Sequence, residues 1–373
     1  MKIGIMLRHL GQHGGGVLVY TESLLRRLLA MDTGHEFVLL HSDDTRVGAY
    51  GRGAQVRELV LGRAPTLMWD QWAAWQAARR EHLDIIFNPK YSLPLMSNCR
   101  GVFVCHGLDW YIMPWGSRPL DRINHRLLIP RYTKKAAAII AVSETARQNM
   151  IEYLHAEESR VHTVYHGVDE AFSLPVAPER LEEVRRRYGL PERFLLYCGQ
   201  IYPPKNFGRL IQAYARVGPP QGISLVVAGS HTWLCEDEIA LIDKLGLGDW
   251  VVRPGWIGRG DLPAFYRLAE ALVLPSLYES FGTPIVEAMS SGCPVVTSDC
   301  YGAAEIAGGA ALLVDPDHVD SIAEGIEQVI DDQQLRRRLI EAGHKRAGDF
   351  SWEKCARETL EVLEQAEVQM PQQ

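Results

Sequence analysis

No stretch of this chain approaches the roughly 18 to 20 consecutive apolar residues that a transmembrane helix needs. The opening MKIGIML runs straight into the polar HLGQHGGG, which is too short an apolar run for a secretory leader. The expectation is a cytoplasmic protein that meets a membrane only from its surface. A basic excess is also missing: 39 Lys and Arg face 46 Asp and Glu, against a dedicated nucleic-acid binder. The seven cysteines make an odd set with no C-x-x-C pair and no His partner at zinc spacing, so reduced thiols are expected and no zinc site.

What is present is a chain of 373 residues, 47% of them apolar, longer than a single hydrophobic core usually grows. Short runs rich in Ile and Val alternate with helical patterns: KIGIML, HEFVLLH, DIIFN, RGVFVCH and AAAIIAV. Such strands are buried on both faces by crossover helices. The alternation restarts at RFLLYCG (193–199) and continues through ISLVVAG, DWVVRPG, EALVLPS and CPVVTSD. The fold class is therefore α/β with two Rossmann-like parallel-sheet domains. Gly167, Pro175 and Pro178 mark a linker between them, so the domains are set at 1–172 and 173–351. The tail carries Trp352, Ala356, Leu360 and Leu363 on one helical face, and a helix over about 352–367 is expected to dock back on the first domain.

The strongest local signal is PSLYESFGTPIVEAMSSGCPVV (275–296). A strand opens into a loop, and Thr283 with Pro284 reads as an N-cap and first turn. Backbone amides around Phe281, Gly282 and Thr283 then sit at a helix N-terminus, which suits an anion such as a diphosphate. Glu279 and Glu287 bracket that point, each able to take a ligand hydroxyl. Taken alone, Glu287 is equally well a residue that complements the helix dipole. A second loop, LLYCGQIYPPKNFGRL, places Gly199 after a strand, then Lys205 and an N-cap Asn206. Lys205 can neutralise phosphate, although an isolated loop lysine is usually only solvated. A third loop holds Gly14, Gly15 and Gly16 before a helix, and His106 ends a strand, where a lone His is more often structural than catalytic.

In this order, Glu279-Ser-Phe-Gly-Thr-Pro-Ile-Val-Glu287, Gly199 with Pro204-Lys205-Asn206, Tyr165-His-Gly-Val-Asp169, Ala141-Val-Ser-Glu144 and the glycine loop resemble the large retaining glycosyltransferase family called group 1 or family 4. The resemblance spans nearly the whole chain and implies the GT-B fold, two Rossmann-like domains facing across a cleft. It implies an N-terminal acceptor-binding domain and a C-terminal domain for the nucleotide-sugar donor. Lys205 and the amides of Phe281 to Thr283 would bind the donor diphosphate, Glu287 the ribose and Glu279 the transferred sugar. The turn at Gly255, Trp256 and Ile257 would read the base, Gly15 and Gly16 would face diphosphate and acceptor, and His106 would contact the sugar. Two departures stand out: Gln200 where many members have Arg, with Arg253, Arg259 or Arg209 as substitutes, and His106-Gly-Leu-Asp109 where many have His-Asp.

The expected reaction moves a hexose from a nucleotide-diphosphate sugar, GDP-mannose first and UDP-glucose second, with retention of configuration. No D-x-D stands where it would hold a metal-bound diphosphate, so no metal and no cofactor are expected. The acceptor is expected to be a glycan or a lipid-linked glycan of cell-surface polysaccharide. Segment 117–135 carries Arg118, Arg122, Arg126, Arg131, Lys134 and Lys135 against Asp121, which reads either as a face resting on anionic lipid at the inner side of a membrane or as a solvated helix. Competing readings are a nucleotide-sugar 2-epimerase or phosphorylase on the same fold, and a catalytically silent binding protein. An NAD-dependent oxidoreductase is disfavoured because G-x-G-x-x-G is missing and His41 stands where an acidic residue would close the second strand.

Overall fold

The computed structural model describes all residues except 12–14, 51–54, 231–233 and 369–373; Gly14 of the glycine loop lies outside the described residues. The chain forms two compact units, one from Met1–Gly167 together with the segment from Trp352 onward, the other from Val168–Ser351.

The first unit holds a parallel sheet of seven strands in the order β3-β2-β1-β4-β5-β6-β7. They are β1 (Lys2–Met6), β2 (Glu36–His41), β3 (Val56–Val60), β4 (Ile85–Asn88), β5 (Arg100–Cys105), β6 (Ala138–Ala141) and β7 (Val161–Thr163). Central strands such as β4 and β6 are buried along their whole length, the signature of a sheet covered by helices on both faces. The order reverses between β1 and β4, where doubly wound sheets open a ligand crevice at the carboxyl ends of their strands. β2 closes on His41, whose Nε2 lies 3.0 Å from Glu58.

The second unit repeats the plan with six parallel strands, β10-β9-β8-β11-β12-β13. These are β8 (Phe194–Cys198), β9 (Ser224–Ala228), β10 (Val251–Gly255), β11 (Ala271–Leu274), β12 (Val295–Ser298) and β13 (Leu312–Val314). Its order reverses between β8 and β11, and the loops that follow these two strands carry Lys205 and Glu279.

The chain enters the second unit at Val168, upstream of position 172. The reason is local: residues Glu170–Phe172 form a single 3-10 turn capped by Asp169, and Phe172 is buried against the ring of Tyr266. Apolar burial, not the prolines downstream, sets the boundary. The final helix, Trp352–Val368, buries Trp352, Cys355, Ala356, Thr359, Val362, Leu363 and Ala366. It packs against the first helix, Gly16–Leu28, and against strands of the first sheet.

Candidate functional site

In the second unit, Pro203–Lys205 form a 3-10 turn after β8, and this turn meets the loop after β11 through Leu277 N–H, which donates to Pro204 O at 2.8 Å. The junction brings Lys205 to Glu279: Nζ donates to Oε1 at 2.5 Å. Ser276 Oγ donates to the same carboxylate oxygen at 2.9 Å. Glu279 is 6% exposed, so its charge is desolvated and depends on these two donors. The second oxygen, Oε2, is not held by either of them.

Three residues on, the helix Thr283–Ser290 begins. Its N-cap is Gly282 at φ 83°, and no side chain caps it; Thr283 is the first helical residue and not the cap. The left-handed conformation is one that glycine adopts without strain, and it turns the loop sharply into the helix. Pro284 has no N–H, and among the described residues the N–H groups of Gly282 and Thr283 find no acceptor. Open donors at a helix N-terminus constitute an anion site. Gly302 supports the loop from behind: its N–H donates to Glu279 O at 2.9 Å. A Cβ there would stand 2.4 Å from Ser280 O, so only glycine allows this approach.

Glu287, one turn into the helix, is 5% exposed. Tyr266 Oη donates to its Oε2 at 3.0 Å, and Arg259 Nη1 lies 3.7 Å from its Oε1. Burial pushes the carboxyl up to about 7, against the opposing pull of Arg259 and Tyr266. A helix-dipole role alone would leave this carboxylate in solvent. Here it is buried, bonded on one oxygen and close to a cation.

The remaining residues of this unit divide. Gly199 follows β8 directly, its N–H donating to Ala228 O at 2.9 Å. Gln200 lends its carbonyl to Tyr197 Oη at 3.0 Å. Asn206 occupies the N-cap position of the helix Phe207–Val217 at φ 60° but makes no side-chain cap. Its Nδ2 instead donates to Pro275 O at 2.9 Å and Pro316 O at 2.7 Å, and its Oδ1 accepts from Arg209 at 3.0 Å. Asn206 thus braces the two loops, and its amide is spent. Arg209 is engaged with it and with Asp317 at 3.4 Å, and Arg253 is exposed on the edge strand β10. Of the three cations considered for the missing charge at Gln200, Arg259 is the one beside a site carboxylate. Ile257 is buried two residues after β10 and Trp256 beside it is 59% exposed.

Sequence reasoning did not find Ser276, Tyr266 or Gly302. Tyr266 lies in LPAFYRL, which reads as a core helix, and no spacing links it to Glu287. The pattern carries no signal for a partner 21 residues away.

In the first unit, Gly15 is the N-cap and Gly16 the first residue of the helix Gly16–Leu28. His106 follows β5, and its Nε2 lies 2.7 Å from Pro89 O. A carbonyl only accepts, so Nε2 carries the proton and Nδ1 is the acceptor. Burial lowers its pKa to about 4, and its ring stands 4.9 Å from Tyr20 and 5.7 Å from His166. The imidazole is neutral at physiological pH, which suits an orienting acceptor and not an acid.

Among the described residues, no group of three or more His, Cys, Asp or Glu is arranged to hold a metal ion.

Residues 182–346 match the family of glycosyl transferases group 1, and residues 14–172 match glycosyltransferase family 4. The chain is 29% identical over 367 residues to an O-antigen chain mannosyltransferase B of Escherichia coli, covering 92% of this chain and 94% of that one. Among solved structures it resembles Anabaena HepE in complex with UDP and glucose, at TM-score 0.78 and 19% identity over 98% of this chain and 100% of that one. It also resembles the sucrose-phosphate synthase of Thermosynechococcus elongatus, at TM-score 0.79 and 22% identity over 98% of each chain. Both structures are GT-B-type neighbours with two Rossmann-like domains, as the sheets here have. Two parallel sheets of this order, with family matches on both halves, make the chain a member of the group 1, family 4 glycosyltransferases.

Proposed function

We propose that this glycosyltransferase is a retaining hexosyltransferase that moves mannose from GDP-mannose to a glycan or lipid-linked acceptor of cell-surface polysaccharide, without a metal ion. The carrying observation is Lys205 paired to Glu279 beside the open N–H groups of Gly282 and Thr283. Cleavage of the bond between the anomeric carbon and the diphosphate leaves negative charge on the phosphate. Lys205 and the helix N-terminus are the groups available to meet it, a preorganised electrostatic contribution of the kind that dominates such catalysis. Glu287 takes the ribose hydroxyls and Glu279, through Oε2, a hydroxyl of the transferred sugar. The departing phosphate takes the acceptor proton on the face it leaves, so no protein nucleophile is assigned. The resemblance to the O-antigen mannosyltransferase supports mannose as the sugar; UDP-glucose is the second donor to test.

The setting is the inner face of a membrane. No described helix is long and apolar enough to cross one. The helix Pro119–Lys135 turns Leu120, Ile123 and Leu127 to solvent, Leu120 at 76% exposure, beside its arginines, which favours anionic lipid over a merely solvated face.

The test is a donor screen with EDTA present, followed by NMR of the product's anomeric proton. Turnover of GDP-mannose with an α-linked product supports the reading. A β-linked product, or activity abolished by EDTA and restored by magnesium, would overturn it.

A further inference from the structure

The first unit contains a cavity of about 290 Å³ that none of the residues discussed above explains. It opens at the carboxyl ends of β1 and β4, the crevice where the strand order reverses. Its outer wall is one stripe of the helix Pro119–Lys135: Asp121, Asn124, His125, Leu128, Ile129 and Tyr132. That spacing is a single helical face, opposite the arginines and the exposed leucines. The volume is at the small end for ligand pockets, enough for one sugar ring with a substituent.

The charges inside are unevenly paired. Arg8 Nε donates to Asp70 Oδ1 at 3.0 Å, and Ser92 Oγ to Asp70 Oδ2 at 2.8 Å, so Asp70 is committed to Arg8. Lys90, in the same lining, is half-buried; its backbone N–H donates to Asn88 Oδ1 at 3.1 Å, while among the described residues its side chain enters no hydrogen bond or ion pair. Burial and the neighbouring Arg8 lower its pKa, against a smaller opposing pull from Asp70. Burial likewise lowers His125, and takes His9 down to about 3, so neither adds charge. A half-buried ammonium outside any ion pair is costly, and here Arg8, itself bonded to Asp70, adds like charge near it. Two further polar groups of the lining, Trp69 Nε1 and His125 Nδ1, are buried with no partner. The lining therefore sets Lys90 and Arg8 against Asp70 and Asp121, with Asp70 already bonded to Arg8, and adds the unpartnered Trp69 and His125 nitrogens and aromatic and amide walls.

We propose that this cavity is the subsite for the acceptor and that its ligand is a phosphorylated sugar, the phosphate ester seated between Lys90 and Arg8 and the ring hydroxyls on Asn124, Asp70 and the Trp69 indole. The assignment rests on the transferase reading above. The same chemistry is offered by a free hexose phosphate and by the sugar-phosphate headgroup of a lipid carrier.

Calorimetric titration of the full chain with mannose 1-phosphate, mannose 6-phosphate, mannose and inorganic phosphate tests it, beside sedimentation with phosphatidylcholine vesicles carrying farnesyl phosphomannose. At least one sugar phosphate should bind about tenfold or more tightly than mannose or phosphate alone, and Lys90→Met should remove that preference. Binding of the free esters identifies a soluble acceptor; binding only on vesicles identifies the lipid headgroup. Lys90→Met discards an unpaired charge, so its melting temperature should hold or rise, which separates lost binding from lost fold. Equal affinity for mannose and its phosphates, inorganic phosphate binding as well as the esters, no binding by any ester, or an unchanged Lys90→Met variant would each overturn the proposal. GDP-mannose titrated in parallel reports on the donor site alone, so failure of the acceptor subsite and failure of the transferase reading are told apart.

Discussion

Tyr266 Oη holds Glu287 Oε2 at 3.0 Å, and the two residues are the buried partners of one hydrogen bond at the base of the anion site. The phenol stabilises the charged carboxylate, whose pKa burial has raised to about 7. Removing the phenol raises it further. Tyr266→Phe should therefore increase the donor KM about tenfold at pH 7, by about the worth of one hydrogen bond to a charged group, ~1.5 kcal/mol. Recovery at pH 8.5, where the carboxylate ionises without help, distinguishes this from misfolding; a KM defect equal at both pH values would contradict it.

The same shift makes a stability prediction. A carboxyl whose folded pKa lies above its unfolded value binds more protons in the folded state across the interval between the two. Stability is then lost as pH rises from about 4.5 to about 7. Glu287→Gln removes that loss. The variant should melt a few degrees higher than the parent at pH 8, and at the same temperature at pH 4.5, while donor binding is abolished. Differential scanning calorimetry at the two pH values decides.

Lys205 is bonded to Glu279, three residues before the open helix N-terminus, and Lys205→Ala should lower kcat by about 100-fold or more, in the range seen when a charge-stabilising donor is removed. The KM for donor should change less than kcat, because the developing charge of the leaving group exceeds the charge already present on the bound diphosphate. A variant that lost only donor affinity would reassign Lys205 to ground-state binding.

Gly302→Ala introduces a methyl group 2.4 Å from Ser280 O. The neighbouring atom is backbone, so the loop from Glu279 to Gly282 must shift, at a cost of about 1–3 kcal/mol. Donor affinity should fall although the residue touches no ligand, and the circular dichroism spectrum should stay that of the parent. Unchanged donor affinity would show that the loop position is not set from this side.

His106 is already neutral above about pH 5, since burial holds its pKa near 4. The pH profile of kcat should accordingly show no limb near 6.5 that His106→Gln removes. A limb lost in that variant would make the imidazole a proton-transfer group.

Parallel strands could be found in the sequence because burial on both faces leaves unbroken runs such as IIFN and AIIA. β3 escaped, since VRELV lies at the sheet edge and carries Arg57 and Glu58 in partial solvent; the three-residue edge strand β13 is equally featureless. At the site, Lys205, Glu279 and Glu287 could be picked out because each lies where a strand's carboxyl end leads through a loop into a helix, and because their order matches the family pattern; singly, none would have stood out. Ser276, Tyr266 and Gly302 could not, because their roles depend on which loops meet across the sheet. Thr283 and Asn206 mark the opposite error. Both residue types favour caps, but the tight turn demanded Gly282, and the amide of Asn206 was worth more tying Pro275 to Pro316.

The closing helix gives the two units different histories during synthesis. Residues 168–351 are contiguous, and everything their core needs has been made once Ser351 is joined. The first unit is not so fortunate: Tyr20 and His166 wait for the ring of Trp352, 5.9 Å from each, and the first sheet stays uncovered on that side until the last helix emerges. On the ribosome the domain begun first is the domain completed last, and for the time it takes to translate the second unit, a nascent chain carries an open apolar groove for chaperones to guard.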